Sequence, residues 1–93
     1  NTIMPQVARF MDMVGTGVIQ NTKVTSVIVE GRPIATLGDI VSTHGEAPHI
    51  GASIVAGCSA TVLAEGQPVA MVGSTATCMH PVTMGSFTVF VGL

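Results

Sequence analysis

The chain has 93 residues, so a single domain is expected. Its stability margin should be thin, since a chain this short buries only about 60–65% of the surface its unfolded form exposes. It is 47% hydrophobic, 9% charged and 3% aromatic, with net charge −2, which excludes intrinsic disorder. With Arg9, Lys23 and Arg32 as the only fixed cations and no Trp or Tyr, it also offers no basic stripe or stacking platform for nucleic acid.

In chain order, residues 1–3 precede the first methionine, Met4, and are expected to be a remnant foreign to the domain, which is assigned to residues 4–93. No charged and then apolar leader of the secretory kind is seen. Pro5-Gln-Val-Ala-Arg-Phe-Met-Asp12 resembles the later Pro33-Ile-Ala-Thr-Leu-Gly-Asp39. Residues 13–22 read as a connector leading into a first complete hairpin.

That hairpin is Thr25-Ser-Val-Ile-Val-Glu-Gly-Arg-Pro-Ile-Ala-Thr-Leu-Gly38. Two short apolar runs flank Glu-Gly-x-Pro, and Gly31 is free to take the positive φ of a tight turn. Residues 40–57 form a second connector. The hairpin then recurs, offset by 35 residues, as Ala60-Thr-Val-Leu-Ala-Glu-Gly-Gln-Pro-Val-Ala-Met-Val-Gly73, with 6 of 14 positions identical. Periods of this size signal a repeated supersecondary unit. Pro33 and Pro68 lack an N–H, so each must open its strand or lie on an edge.

The C-terminal Ser86-Phe-Thr-Val-Phe-Val-Gly92 matches the first half of the unit. If it pairs with the N-terminal segment, the two ends of the chain complete a third hairpin that has no turn. The expected fold is therefore all-β, with three hairpins about a pseudo-threefold axis; two hairpins with unrelated edge strands is the alternative. No window of eleven or more residues carries a clean helical period. The longest stretch without charge, residues 66–93, is interrupted by Gln67, Pro68, Ser74, Thr75, Thr77, His80 and Pro81, so no membrane span is expected.

The polar chemistry collects in two loops. His44 and His49 follow the first complete hairpin, and Cys78 and His80 follow the second. Equivalent hairpins should send both loops off the same end, which brings three imidazoles and a thiolate together. One Cys and three His form a tetrahedral donor set suited to structural Zn²⁺, whereas Ca²⁺ and Mg²⁺ prefer oxygen. Surface histidines beside an unpaired thiol are the plainer alternative. Cys58 reads as a buried free thiol, with a Cys58–Cys78 disulfide as its alternative. Asp12, Asp39 and Glu65 read as isolated turn caps. The competing functional reading is a small zinc-dependent hydrolase with Glu46 of His44-Gly-Glu46 as general base. Four protein donors would leave no open position for water, so that reading requires one of them to be absent.

The pattern Val27-Ile-Val-Glu-Gly-Arg-Pro-Ile-Ala-Thr-Leu-Gly-Asp39, repeated as Val62-Leu-Ala-Glu-Gly-Gln-Pro-Val-Ala-Met-Val-Gly-Ser74 and followed by a His/Cys loop, resembles the PAAR-repeat family. Met4-Pro-Gln-Val-Ala-Arg9, Gly57-Cys58-Ser59 and Ser86-Phe-Thr-Val-Phe add to the likeness, which covers residues 4–93. The Pro-Ala-Ala-Arg core is degenerate here, as Pro33-Ile-Ala-Thr36 and Pro68-Val-Ala-Met71. Ser74 stands where an acidic residue is usual, and the loop after Asp12 lacks a histidine that many relatives carry. The resemblance implies a small conical, non-enzymatic cap with zinc near its apex, held by His44, His49, Cys78 and His80. It also implies a place at the tip of a contractile injection apparatus, in type VI secretion or a phage tail. There one copy would sit on a trimeric β-helical spike and touch the target membrane transiently, with effector cargo as a further partner. No toxin domain accompanies the repeat, so a plain tip is expected.

Overall fold

The computed structural model describes residues 4–92; the expected remnant at residues 1–3 and Leu93 lie outside them. The described residues contain no helix, hence none able to cross a membrane. Their named strands are β1 (Met13–Val14), β2 (Gly17–Asn21), β3 (Ile28–Val29), β4 (Arg32–Pro33), β5 (Ile40–Val41), β6 (Ile54–Ala56), β7 (Leu63–Ala64), β8 (Gln67–Pro68) and β9 (Thr75–Ala76).

Both repeated segments form hairpins. β3 pairs with β4 (Ile28↔Pro33, Val29↔Arg32) and β7 with β8 (Leu63↔Pro68, Ala64↔Gln67). Each two-residue turn has positive φ at both positions: 52° and 81° at Glu30-Gly31, 49° and 79° at Glu65-Gly66. The glycines take the expected positive φ, and the glutamate before each does so too, because a turn matching the right-handed twist of its strands needs both residues there. The glutamates are held by their side chains. Glu30 accepts from the Thr88 hydroxyl (2.5 Å) and Arg9 Nη1 (2.7 Å). Glu65 accepts from the Ser26 hydroxyl and, at 3.2 Å, from its N–H. Each turn thereby grips the next hairpin around the axis.

The chain ends supply the third hairpin. Gln6 bridges Phe90 as Pro33 bridges Ile28 and Pro68 bridges Leu63. The register differs from the sequence alignment by one residue, because Gln6, not Pro5, takes the place of Pro33 and Pro68. Three inner N–H groups repeat one bond across each hairpin: Val7 to Val89 (3.0 Å), Ile34 to Val27 (2.9 Å) and Val69 to Val62 (3.1 Å). The axis itself is a closed triangle. Ala8 N–H donates to Ala70 C=O (3.0 Å), Ala70 to Ala35 (2.9 Å) and Ala35 to Ala8 (3.0 Å), with all three alanines fully buried. Small side chains let three backbones meet there, and each inward peptide group finds its partner in the next repeat.

After the triangle each repeat makes the same turn. The side-chain oxygen of the residue four places past the alanine accepts the N–H three residues back: Asp12 from Arg9 (2.8 Å), Asp39 from Thr36 (2.8 Å), Ser74 from Met71 (3.0 Å). These are turn caps, as expected, but the two acids are not isolated. Asp12 pairs with Arg9 (2.9 Å) and Arg32 (3.2 Å), and Asp39 with Lys23 (2.8 Å). Arg9 is itself buried, and its hydrogen bond to Asp12 raises its pKa further.

Residues 13–22 and 40–57, read as connectors, are in fact part of a second tier of pairing. Met13↔Val18, Ile40↔Ser53 and Thr75↔Pro81 close one excursion per repeat. Ile19↔Val41, Ile54↔Ala76 and Val14↔Val82 join each excursion to the next. The pairs run into a closed ring, so strands only two to five residues long leave no free run of edge groups between repeats.

Two apolar clusters fill the tiers, and strand alternation separates them. Val7, Ile34 and Val69 point into one with Val24, Val29 and Met71. Their successors Ala8, Ala35 and Ala70 point into the other with Ile19, Ile54, Val14, Val41 and Val82. Cys78 belongs to this second cluster, so the His/Cys loops leave from the end opposite the hairpins.

Candidate metal centre

The three excursions differ at their tips. The first turns over Gly15-Thr16 alone, because Val14 pairs directly with Gly17. The second is long. His44 N–H donates to His49 C=O (3.1 Å) and His49 N–H to Glu46 C=O (2.7 Å), which folds residues 44–49 back and sets the two rings side by side. In the third, Met79 N–H donates to Ala76 C=O (2.9 Å) and Ala76 N–H to His80 C=O (3.0 Å). That turn sends the Cys78 thiol into the core and the His80 ring toward the second excursion.

All four residues expected from the sequence meet here. One donor atom from each of His44, His49, Cys78 and His80 lies within 4.8 Å of every other. The three ring centroids are 4.7–5.1 Å apart. His44 Nε2 is 3.0 Å from His80 Nδ1 and 3.5 Å from Cys78 Sγ. Tetrahedral zinc with bonds of about 2.0–2.1 Å to nitrogen and 2.3 Å to sulfur needs edges of about 3.3 and 3.6 Å. These two separations, 3.0 and 3.5 Å, are close to such edges, and the full set spreads no wider than 4.8 Å.

Protonation and hydrogen bonding also suit a cation. His44 Nδ1 lies 2.7 Å from the Ser42 carbonyl, so Nδ1–H donates there and Nε2 turns its lone pair inward. Among the described residues His49 Nδ1 is buried without a hydrogen-bond partner, and a metal ion would satisfy it. Burial, and then the neighbouring His80 and His44, hold the His49 pKa below its ordinary value, favouring the neutral imidazole that a metal requires. Together these donors could hold a metal ion.

The other sequence-predicted residues stand apart. Glu46 is exposed and takes part through its backbone carbonyl. Cys58 and Cys78 are both free thiols. Cys58 is half-buried, and burial raises its pKa. Sequence reasoning missed Ser42, whose carbonyl orients His44, and Gly15 and Gly17, which lie against the His80 and His44 rings. The run Gly15-Thr-Gly17 between Val14 and Val18 was the available signal, since glycine inside a strand pattern often marks a close approach.

The family model of the PAAR motif matches residues 44–93, more than half of the chain and all four cluster residues. The chain belongs to the PAAR-motif family. That family is structural rather than enzymatic. No curated protein matches the sequence. The PAAR match takes in the second excursion from His44 onward, the second hairpin, the third excursion and the C-terminal segment. The N-terminal half joins the same architecture through the alanine triangle and the shared turn.

Proposed function

We propose that this PAAR protein is a spike tip: a single chain capping the blunt end of a trimeric β-helical spike in a contractile injection apparatus, of the type VI secretion or phage-tail kind. The observation that carries the reading is the symmetry of its exposed apolar residues. Ile28, Leu63 and Phe90 occupy the same place in the three hairpins and are 55%, 56% and 49% exposed. A monomer whose apolar end repeats three times can offer each chain of a threefold partner a similar surface. Exposed apolar patches of this sort mark interaction sites, and the hairpin edges could add to spike strands.

Zinc is the metal we assign to the His44, His49, Cys78 and His80 set, because imidazole and thiolate together suit it. When bound, it would cross-link the second and third excursions as a closed structural centre. At that same end Ile50 and Met79, 61% and 78% exposed, would make the transient contact with a target membrane. Turnover has no part in this reading, since all four donors converge and none leaves a place for water activated by Glu46.

Co-purification with the trimeric spike protein, with elemental analysis of the complex, tests it. One copy per trimer and one zinc per copy are expected. Three copies per trimer would remove the symmetry argument, and hydrolytic activity lost in Glu46→Gln with zinc retained would overturn the non-enzymatic reading.

A further inference from the structure

The first excursion contributes no donor to the metal centre, yet its β1–β2 turn lies directly against it. A Cβ added at Gly15 would lie 2.2 Å from His80 Nδ1 and 2.6 Å from its Cγ. That nitrogen is the one facing His44 Nε2 at 3.0 Å. A Cβ at Gly17 would lie 2.6 Å from His44 Nδ1 and 2.8 Å from the Ser42 carbonyl oxygen. Those two atoms make the 2.7 Å bond that turns His44 Nε2 inward.

We infer that Gly15 and Gly17 are positioning residues of the metal centre: Gly15 places the donor nitrogen of His80, and Gly17 preserves the bond that selects the donor nitrogen of His44. The inference rests on the reading of the cluster as a metal site. Hairpin twist alone does not account for both glycines. Gly15 has φ 62° and sits in a turn, but Gly17 is a strand residue outside the left-handed region. What the two share is an imidazole packed where a side chain would begin. The close approach lets a two-residue turn wall the centre on its third side.

Cobalt(II) titration with optical detection is the test, since tetrahedral nitrogen–thiolate coordination gives intense d–d bands and a thiolate charge-transfer band. The comparison is between the unaltered chain, Gly15→Ala, Gly17→Ala and Gly66→Ala. Gly66 serves as the control, having φ 79° and nothing within 4 Å of its added Cβ. The unaltered chain and Gly66→Ala should bind alike, while Gly15→Ala and Gly17→Ala should bind about 10–100-fold more weakly, with altered d–d bands. Wild-type binding and spectra in both altered glycines would overturn the inference, as would an equal loss in Gly66→Ala. Failure of the unaltered chain to take up cobalt would instead overturn the metal reading. If Gly15→Ala is insoluble, recovery of soluble protein in Gly15→Ala/His80→Ala supports the ring clash, and continued insolubility overturns it.

Discussion

At the residue scale, left-handed backbone and exposed carboxylates decide local stability. The residue before each turn cap is left-handed: Met11 at 73°, Gly38 at 89° and Gly73 at 99°. Gly73 has nothing within 4 Å of an added Cβ, so Gly73→Ala isolates backbone strain. It should lower stability by about 1–2 kcal/mol, read from the urea midpoint at unchanged m-value. The turn glutamates respond to acid. The Thr88 hydroxyl first, then Ser86 and Arg9, hold the Glu30 carboxyl below its ordinary value, and Ser26 does the same for Glu65. A carboxylate whose folded pKa is depressed contributes stability above its unfolded value and loses it as pH falls through the folded one. Stability in chelator should therefore decline between about pH 5 and 3, with a shallower slope in Glu30→Gln/Glu65→Gln. An unchanged slope would assign that decline to other groups.

At the element scale, the repeats share a backbone while exchanging side-chain partners. Lys23 bonds Asp39, and 35 residues later Cys58 approaches Ser74 Oγ at 3.9 Å. The acid and its cation have thus been replaced together by a neutral pair. Ser74 still caps its turn through Met71 N–H and gives its own hydrogen to Gly57 C=O (3.0 Å). A carboxylate in that fully buried position would find Cys58 where Asp39 has Lys23. Ser74→Asp should cost about 3–5 kcal/mol, the range for an uncompensated buried charge. Adding Cys58→Lys should recover part of that loss by recreating the Lys23–Asp39 arrangement. A double-mutant cycle on thermal unfolding measures the coupling, and strict additivity would show that the two positions are independent.

At the scale of the whole molecule, the two apolar clusters on either side of the alanine triangle should respond differently to metal removal. The donors belong to the second and third excursions, whereas the hairpin cluster of Val7, Ile34, Val69 and Met71 is separate. A ligand that binds only the folded state stabilises by mass action. A linkage of only about 2 kcal/mol corresponds to roughly 8–16 °C in Tm for a domain of this size. Chelator should lower Tm at least that far, and hydrogen exchange should rise first in residues 42–52 and 77–81. Amides of the alanine triangle should stay protected longest. Uniform loss of protection would show that both tiers open as one unit.

Repeat identity made much of this legible. Glu-Gly-x-Pro, recurring at a 35-residue offset, located two hairpins, and the matching ends of the chain located the third. His44, His49, Cys78 and His80 were legible because equivalent hairpins must deliver equivalent loops to one end. Such inferences need only the order of residues and the rule that like sequences fold alike. The closed ring of excursions was not legible, since its strands are two to five residues long and their partners lie in other repeats. Ala8, Ala35 and Ala70 look ordinary in sequence, yet their bonds to one another form the axis. The same holds for the pairing of Arg9 and Arg32 with Asp12, and for the reason residues 15 and 17 carry no side chain. Periodicity encodes which segments are alike. Which atoms meet depends on how three like segments close around one axis, and that closure exists only in three dimensions.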